Sequence, residues 1–334
     1  MLKKYNNCIY CNSKKFSFEK QSFESNFYIR AIKSDLDIPD SFFKKMKVYR
    51  CKKCFNIQNN PWFTDDIGYK IFNQIYGQHN RSWTNVIKSF KKGIQPNHGK
   101  LFEILKSKIK IKNYAEFNSP FMGLFMNFFF DEYRSNLNFS KNIFNQTISY
   151  LSSRQVAGQS RKTQIYSQKN SSKILQNINK LKNKYIIKKK INKYLIIDNS
   201  KLSWGSNDNY KSVNSRAFAA ELFDIKIENI NNFKNNTKID LFGIFHTLDH
   251  TDKPKKILDL ALKVSNYVIV YCHVNQNIEK QHLFSFTRDF LKYLKKIGVE
   301  TLDLTNFINK KFKSPEMYFL CSKKKKLKIK NFVN

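Results

Sequence analysis

Two Cys-x2-Cys pairs near the start of the chain constrain its fold more than any other feature. They are formed by Cys8 with Cys11 and by Cys51 with Cys54. Each pair can form a tight knuckle that directs two sulfur atoms at one point, and the segment between the pairs is long enough for the knuckles to face each other. Four thiolates close the tetrahedral shell of a zinc ion, as in structural rather than catalytic sites. The sequence therefore predicts a four-cysteine zinc ribbon, with unrelated buried thiols or a redox pair as the alternative.

The other cysteines and the apolar segments bear on cellular location. Cys272 and Cys321 lie within apolar stretches and are predicted to be inert core residues. Paired thiols and an N-terminus without an apolar run favour a reducing cytoplasm over secretion. The most apolar stretch, residues 121–130, is much shorter than the roughly 20 residues that a membrane-spanning helix needs. We expect this stretch to be a buried helix, and we expect no membrane span.

The chain is strongly basic. Its formal net charge is +36, from 61 Lys and Arg against 25 Asp and Glu. Clustered basic residues bind nucleic-acid phosphates, but here lysine predominates, is spread along the chain and accompanies abundant Asn, Ile and Phe, as in AT-rich coding sequences. A positive net charge alone indicates only non-specific attraction to anionic partners. Nucleic acid is therefore not expected to be the main partner.

From about residue 100 the chain alternates apolar runs with amphipathic stretches. Three segments are predicted to be helices, 216–223, 254–264 and 287–297, and the last is followed by Gly298 at the position of a C-terminal cap. This alternation is typical of a parallel sheet with helices on its faces. The predicted strands are 114–117, 194–198, 225–230, 239–245, 267–272, 299–304 and 317–321.

Changes of pattern divide the chain into parts. After the cysteine pairs, Ile67, Ile71, Phe72 and Ile75 recur at helical spacing and predict a short connecting helix. The predicted parts are a zinc ribbon (1–60), a helical connector (61–100), an α/β domain (101–322) with a polar insertion (131–192), and a basic tail (323–334).

The N-terminal motifs are similar to those of a known family. The cysteine pairs are followed by Asn60-Pro61 and then by Tyr76 before an aromatic and polar turn. This order resembles the zinc ribbon that precedes many class I S-adenosylmethionine-dependent methyltransferases, including sugar C-methyltransferases.

Three later segments resemble the same family. The segment DLFGIFHTLDHTDKPKKIL, residues 240–258, is similar to the family's fourth strand and the loop after it, with Leu248-Asp249-His250 in place of a Leu-Glu-His triplet. The segment YLIIDNS, which contains Asp198, resembles the second strand. Gln281-His282-Leu283 resembles the histidine segment after the fifth strand. The resemblance implies an α/β fold: a Rossmann-like class I methyltransferase domain behind a small four-cysteine zinc ribbon.

The resemblance also implies S-adenosylmethionine as a cofactor beside a structural Zn²⁺. The carboxylate of Asp198 would accept hydrogen bonds from both ribose hydroxyls. Asn118 and Gly123 stand where the family has a glycine-rich loop. Glu116 could open the cofactor pocket or be a solvated strand end, and His250 could be a helix-start residue. The residues expected at the cofactor site are Glu116, Asn118, Gly123, Asp198, His246, Asp249 and His250.

The candidate catalytic residues are one histidine and two residues of the connector. His282 is the candidate general base, because imidazole near neutral pKa can take a proton from a substrate; an exposed loop histidine is the alternative. Tyr76 and His79 could face the substrate, although aromatic packing between the lobes also explains Tyr76. A metal held by His246 and His250 is a weaker hypothesis.

The function implied by the resemblance is methyl transfer from S-adenosylmethionine to a small molecule, with a nucleotide-linked sugar as the most natural substrate. Two other functions stay open. One is a protein that keeps the fold without the cofactor and serves as a binding or assembly partner in surface-glycan synthesis. The other is an RNA-binding protein that uses the ribbon and the lysines.

Overall fold

The computed structural model describes the greater part of both ends of the chain and several segments between them. Within these residues the chain forms a seven-stranded sheet, a four-stranded sheet and a two-stranded pair. The described residues are 1–19, 25–71, 96–117, 123–132, 176–177, 179–180, 183, 191–197, 223–231, 233, 238–245, 247–274, 278, 280–308, 316–328 and 332.

The elements alternate along the second half of the chain. The strands are β1 Leu2–Lys3, β2 Phe16–Glu19, β3 Lys47–Cys51, β4 Ile57–Asn60, β5 Trp62–Phe63, β6 Asn113–Phe117, β7 Asn192–Ile197, β8 Ile225–Asn229, β9 Ile239–Phe245, β10 Ser265–His273, β11 Phe284–Ser285, β12 Glu300–Asp303 and β13 Glu316–Ser322. The helices are α1 Phe27–Leu36, α2 Asp40–Lys45, α3 Asp65–Lys70, α4 Pro96–Lys108, α5 Phe125–Glu132, α6 Pro254–Val264, α7 Phe290–Lys296 and α8 Thr305–Ile308, with a 3-10 turn at Leu248–His250.

The large sheet has the strand order β8-β7-β6-β9-β10-β13-β12. The first five strands are parallel to one another, and β13 runs antiparallel to both β10 and β12. The order reverses beside β6, whose neighbours are β7 and β9. This mostly parallel sheet is compatible with a Rossmann-like fold, in which ligands bind outside the carboxyl ends of the strands at the reversal.

All seven predicted strand segments are strands of this sheet. β9 has the predicted bounds, and the others differ by one or two residues at an end. The sheet is buried on both faces: in β9, Leu241 and Phe245 face one apolar cluster, and Phe242 and Ile244 face the other. Strands in such a position need apolar residues on both sides, so they occur as nearly continuous apolar runs in the sequence.

Two of the three predicted helices lie within the described residues. α6 has the predicted bounds, with Pro254 in its first turn. A backbone N–H at this position would have no acceptor within the helix, so proline costs no hydrogen bond there. α7 begins at Phe290 rather than at Thr287, whose hydroxyl donates to the carbonyl of Phe55 in the N-terminal lobe. Gly298 follows α7 with φ +81°, as expected of a C-terminal cap. The predicted helix 216–223 lies outside the described residues except for its last one.

The apolar stretch 121–130 contributes a buried helix, as predicted. In α5, Phe125, Phe128 and Phe129 are almost completely buried, and the ring of Phe128 lies 4.5 Å from that of Tyr114. Among the described residues, no helix combines the length and the apolar character required to cross a membrane.

The N-terminal lobe contains the antiparallel sheet β11-β4-β3-β2 and the β1–β5 pair. Its strand β11 comes from much later in the chain: Phe284 pairs with Gln58, and Ser285 pairs with Ile57. The sequence did not predict this strand. Ile67 in α3 and Ile71 just after it are buried, as their helical spacing predicted. Phe72 and Ile75 lie outside the described residues.

Candidate functional site

The two cysteine knuckles have the same backbone geometry. The amide of Asn12 donates to the carbonyl of Cys8, and the amide of Phe55 donates to the carbonyl of Cys51, at 2.9 Å in both cases. Asn12 and Phe55 have φ of +57° and +66°, a left-handed conformation that few residues other than glycine adopt. The tight turn at each knuckle directs both of its sulfur atoms to the same side.

The four sulfur atoms converge. Cys8 Sγ lies 3.5 Å from Cys54 Sγ, Cys11 Sγ lies 3.4 Å from Cys51 Sγ, and all four lie within 4.8 Å of one another. Zinc–sulfur bonds of about 2.3 Å in a tetrahedron place the sulfurs about 3.8 Å apart. Hydrogen bonds among the four thiols lower the pKa of Cys11 and Cys51 and raise the pKa of Cys8 and Cys54. The cluster can therefore bind a metal ion such as zinc.

The first knuckle packs against the large domain. Tyr10, between the two cysteines, is buried, and its ring centroid lies 4.7 Å from that of Phe290 and 6.2 Å from that of Phe286, both edge to face. Such aromatic pairs add to the energy of apolar burial. Cys272 and Cys321 are buried in the large sheet, and desolvation raises the pKa of both thiols, as expected of unreactive core cysteines.

A second polar cluster lies at the carboxyl edge of the large sheet. Asp249 is in the 3-10 turn after β9, His273 is the last residue of β10, and His282 lies shortly before β11. One ligand atom of each residue lies within 4.8 Å of the other two. Three separate segments thus bring a carboxylate and two imidazoles together beside the point where the strand order reverses.

The geometry of this cluster is tight. His273 Nδ1 lies 2.6 Å from Asp249 Oδ2, and the backbone amide of His273 donates to the same oxygen at 3.2 Å. The ring centroids of His273 and His282 are 5.8 Å apart. The side chain of Asp249 is 1% exposed and that of His273 is 28% exposed, so the cluster is buried on the Asp249 side and reaches solvent at His273. Such a group can exchange a proton or hold a cation.

Residues of the N-terminal lobe fix the position of His282. The side-chain amide of Asn59 donates to the carbonyl of His282 at 2.7 Å, and the backbone amide of Asn59 donates to the carbonyl of Leu283 at 2.8 Å. The indole of Trp62 donates to the carbonyl of Lys280 at 3.0 Å. The cluster therefore lies where the N-terminal lobe meets the sheet edge.

Glu116, predicted at the cofactor site, is completely buried near the end of β6. Its Oε1 accepts hydrogen bonds from the hydroxyl of Tyr114 and, at 2.6 Å, from the backbone amide of Leu124 just before α5. A Cβ atom on Gly123 would lie 2.3 to 2.5 Å from the carboxylate group. Glu116 and Gly123 are thus neighbours, and Glu116 is not a solvated strand end, because it fixes the start of the helix that follows the first strand.

The other predicted residues are placed only in part. For His250 the structure gives the backbone, in the 3-10 turn, and nothing of the side chain. Tyr76, His79, Asn118, Asp198 and His246 lie outside the described residues.

Sequence reasoning identified Asp249 and His282 but missed His273. The signal was present: His273 ends the apolar run YVIVYCH, and strand ends in parallel sheets supply ligand-binding side chains. Neither a protein-family model nor a curated protein matches the chain.

Proposed function

We propose that this protein transfers a methyl group from S-adenosylmethionine to a small molecule, and that a nucleotide-linked sugar is the substrate class. The sequence resemblance is the origin of the proposal, and the strand order is the observation that carries it. Counted along the chain, the strands of the large sheet have the order 3-2-1-4-5-7-6, with the seventh reversed. Its first five strands have the order 3-2-1-4-5 of a Rossmann-like sheet, which is the fold that the resemblance implies.

The polar cluster supports the proposal by its place in the sheet. Asp249, His273 and His282 lie at the carboxyl edge beside the reversal, where open α/β sheets bind their ligands. The cofactor would lie along the ends of β6 and β7, with Asp198 binding its ribose. In this account Glu116 shapes the loop after β6 through the amide of Leu124 and does not itself contact the cofactor.

The reaction requires one bond exchange and one proton transfer. The acceptor's nucleophilic atom forms a bond to the methyl carbon, and the S–CH3 bond breaks with its electron pair left on sulfur. An imidazole of the cluster, His282 or the neighbouring His273, takes the proton that the acceptor loses. The protein contributes mainly by holding the methyl group in line with the nucleophile.

The test combines binding and transfer with the zinc-loaded full chain. We expect methyl-labelled S-adenosylmethionine to label one member of a panel of nucleotide-linked sugars. Asp198→Ala should weaken cofactor binding at least about tenfold, the loss of one strong hydrogen-bonded carboxylate. His282→Ala should lower transfer while cofactor affinity stays unchanged.

The matched control is Asp240→Ala. Asp240 lies near the amino end of β9, at the opposite edge of the sheet, where its carboxylate accepts from the backbone amides of Lys112 and Asn113. This variant should bind the cofactor as the unaltered protein does. If the Asp198→Ala variant bound the cofactor as well as the unaltered chain does, Asp198 would not belong to the site. If the unaltered chain did not bind the cofactor, the proposed function would be refuted.

One observation favours a second candidate, a scaffold of the same fold that has lost the cofactor. The acidic side chain near the end of β6 has no exposed surface and is bonded within the protein. A chain of this kind would serve as a binding or assembly partner, and it would give no heat with S-adenosylmethionine while remaining folded.

A further inference from the structure

We propose that Asp249, His273 and His282 form a second metal site, distinct from the cysteine cluster, which takes a divalent transition-metal cation such as Zn²⁺, Fe²⁺ or Mn²⁺. The proposal rests on the geometry of these three residues. It does not depend on which group the protein transfers.

The three side chains converge. The three side chains come from positions far apart in the sequence, and one nitrogen or oxygen of each lies within 4.8 Å of the others. Metal bonds of about 2.1 Å place neighbouring ligand atoms about 3.0 Å apart in an octahedron and about 3.4 Å apart in a tetrahedron. Asp249 Oδ2 and His273 Nδ1, now 2.6 Å apart, would separate by about 0.4 to 0.8 Å to admit the ion.

The ligand types favour a transition-metal ion. Two imidazoles and one carboxylate make a mixed nitrogen and oxygen set, which suits zinc and first-row transition metals, whereas calcium and magnesium prefer oxygen alone. Three protein ligands leave coordination positions for water or substrate, as in catalytic rather than structural sites. The cysteine cluster has four thiolate ligands and no open position, so the two sites differ in chemistry.

The surrounding residues hold the ligands in place. Asn59 and Trp62 bind the backbone around His282, and the hydroxyl of Ser285 donates to the carbonyl of His273 at 3.3 Å. Ordered surroundings keep metal ligands in position and tune the ion. The partial exposure of the His273 side chain gives the ion a route to the site.

A bound cation would give the site a defined role. It would bind an oxygen of the substrate, or a water, and lower the pKa of that oxygen. If the ion is bound during the proposed methyl transfer, the oxygen on the ion would replace the imidazole as the proton-transfer group, because imidazoles that bind a metal have no lone pair for a proton. The two histidines would be ligands that position the substrate.

Cobalt(II) is a suitable probe, because its spectrum separates the two sites. Cobalt on the cysteine cluster gives an intense near-ultraviolet thiolate band, whereas cobalt on histidine and carboxylate gives only weak visible bands. Titration of the metal-depleted full chain should saturate the thiolate band with the first equivalent. A second equivalent should then add the weak bands, and metal analysis after dialysis should find two ions per chain.

The variants test the assignment residue by residue. The substitutions His273→Gln, His282→Ala and Asp249→Asn should each lower the affinity for the second equivalent of cobalt at least about tenfold. The thiolate band should stay unchanged, as a sign that the lobe is folded. His98→Phe is the control, because His98 is a buried histidine among aromatic rings and outside the cluster. The His98→Phe variant should still bind two equivalents of cobalt.

Two results would overturn the proposal. One is that the unaltered chain binds a single equivalent, all of it on thiolates. The other is that a second equivalent binds equally well to all four variants. Neither readout involves S-adenosylmethionine, so failure of the metal site and failure of the methyl-transfer proposal can be told apart.

Discussion

Gly123 lies against the buried carboxylate of Glu116 with no room for a side chain between them. It has φ +37°, and an added Cβ would lie within 2.5 Å of three atoms of that carboxylate group. We expect Gly123→Ala to lower the free energy of unfolding by about 3 kcal/mol, from backbone strain and overpacking together. Denaturant titration measures this change.

Gly298→Ala is the matched comparison for that substitution. Gly298 also has a positive φ, +81°, but among the described residues beyond its immediate chain neighbours no atom lies within 4 Å of the position of its missing Cβ. Its replacement should cost about 1 kcal/mol, from conformation alone. If the two variants lost equal stability, contact with Glu116 would not be the reason that position 123 requires glycine.

His98 should make the protein sensitive to acid. Burial lowers its pKa from 6.5 to about 4, although a hydrogen bond with the backbone of Gly123 acts in the opposite direction. The unfolded chain therefore binds a proton below pH 6.5, whereas the folded chain does so only near pH 4. The stability that neutral His98 contributes is complete above pH 6.5 and decreases as the pH falls, by about 3 kcal/mol at pH 4.

The His98→Phe variant tests this pH dependence. Its ring keeps the packing against Phe245 and Tyr271 but has no titratable nitrogen. Urea unfolding between pH 7 and pH 4 should show a smaller loss of stability than in the unaltered protein. The same loss in both proteins would assign the acid sensitivity to other groups.

At the scale of elements, the cysteine knuckles should hold the N-terminal lobe together through their metal. Binding of zinc by four thiolates contributes on the order of 10 kcal/mol to the folding of small ribbons. Cys54→Ser should therefore remove the ion of the cysteine cluster and speed hydrogen exchange of the β3 and β4 amides. Cys272→Ser, at a buried cysteine outside the cluster, should keep the ion. Retention of the ion by the Cys54→Ser variant would refute the metal assignment.

A buried ion pair joins α5 to β7. The ammonium of Lys193 binds the carboxylate of Glu132, and their side chains are only 1% and 5% exposed. Lys193→Met leaves that carboxylate buried without its cation, which costs about 3 to 5 kcal/mol. Lys255→Met, which breaks the exposed pair with Asp259, should cost less than about 1 kcal/mol. Comparable melting temperatures for the two variants would contradict this account.

Elements differ in how far their sequence predicts them. β9 and α6 have the predicted bounds because continuous apolar runs and helical periodicity are local patterns. β11 has two residues, and it is a strand because Phe284 and Ser285 pair with β4. That pairing depends on how the segment after β10 folds back onto the N-terminal lobe, which no local pattern records.

At the scale of the whole molecule, the two candidate sites also differ in how far the sequence predicts them. The cysteine cluster follows from spacing alone, because each Cys-x2-Cys pair is a local turn. The polar cluster requires the parallel pairing of β9 with β10, which places Phe245 opposite Tyr271 and so brings the following residues together. The sequence predicted a parallel α/β sheet but not the order of its strands, so the position of His273 at a strand end did not show that it lies beside Asp249 and His282.

The binding of S-adenosylmethionine to the zinc-loaded full chain is the measurement that tests the proposed function most directly. The proposed function predicts heat in a calorimetric titration, with micromolar affinity and one site per chain. S-adenosylhomocysteine, which shares the adenosine and amino-acid parts, should bind similarly. No heat from a folded protein at concentrations far above micromolar would contradict the proposed function, and would leave the fold and the separately tested metal-site proposals.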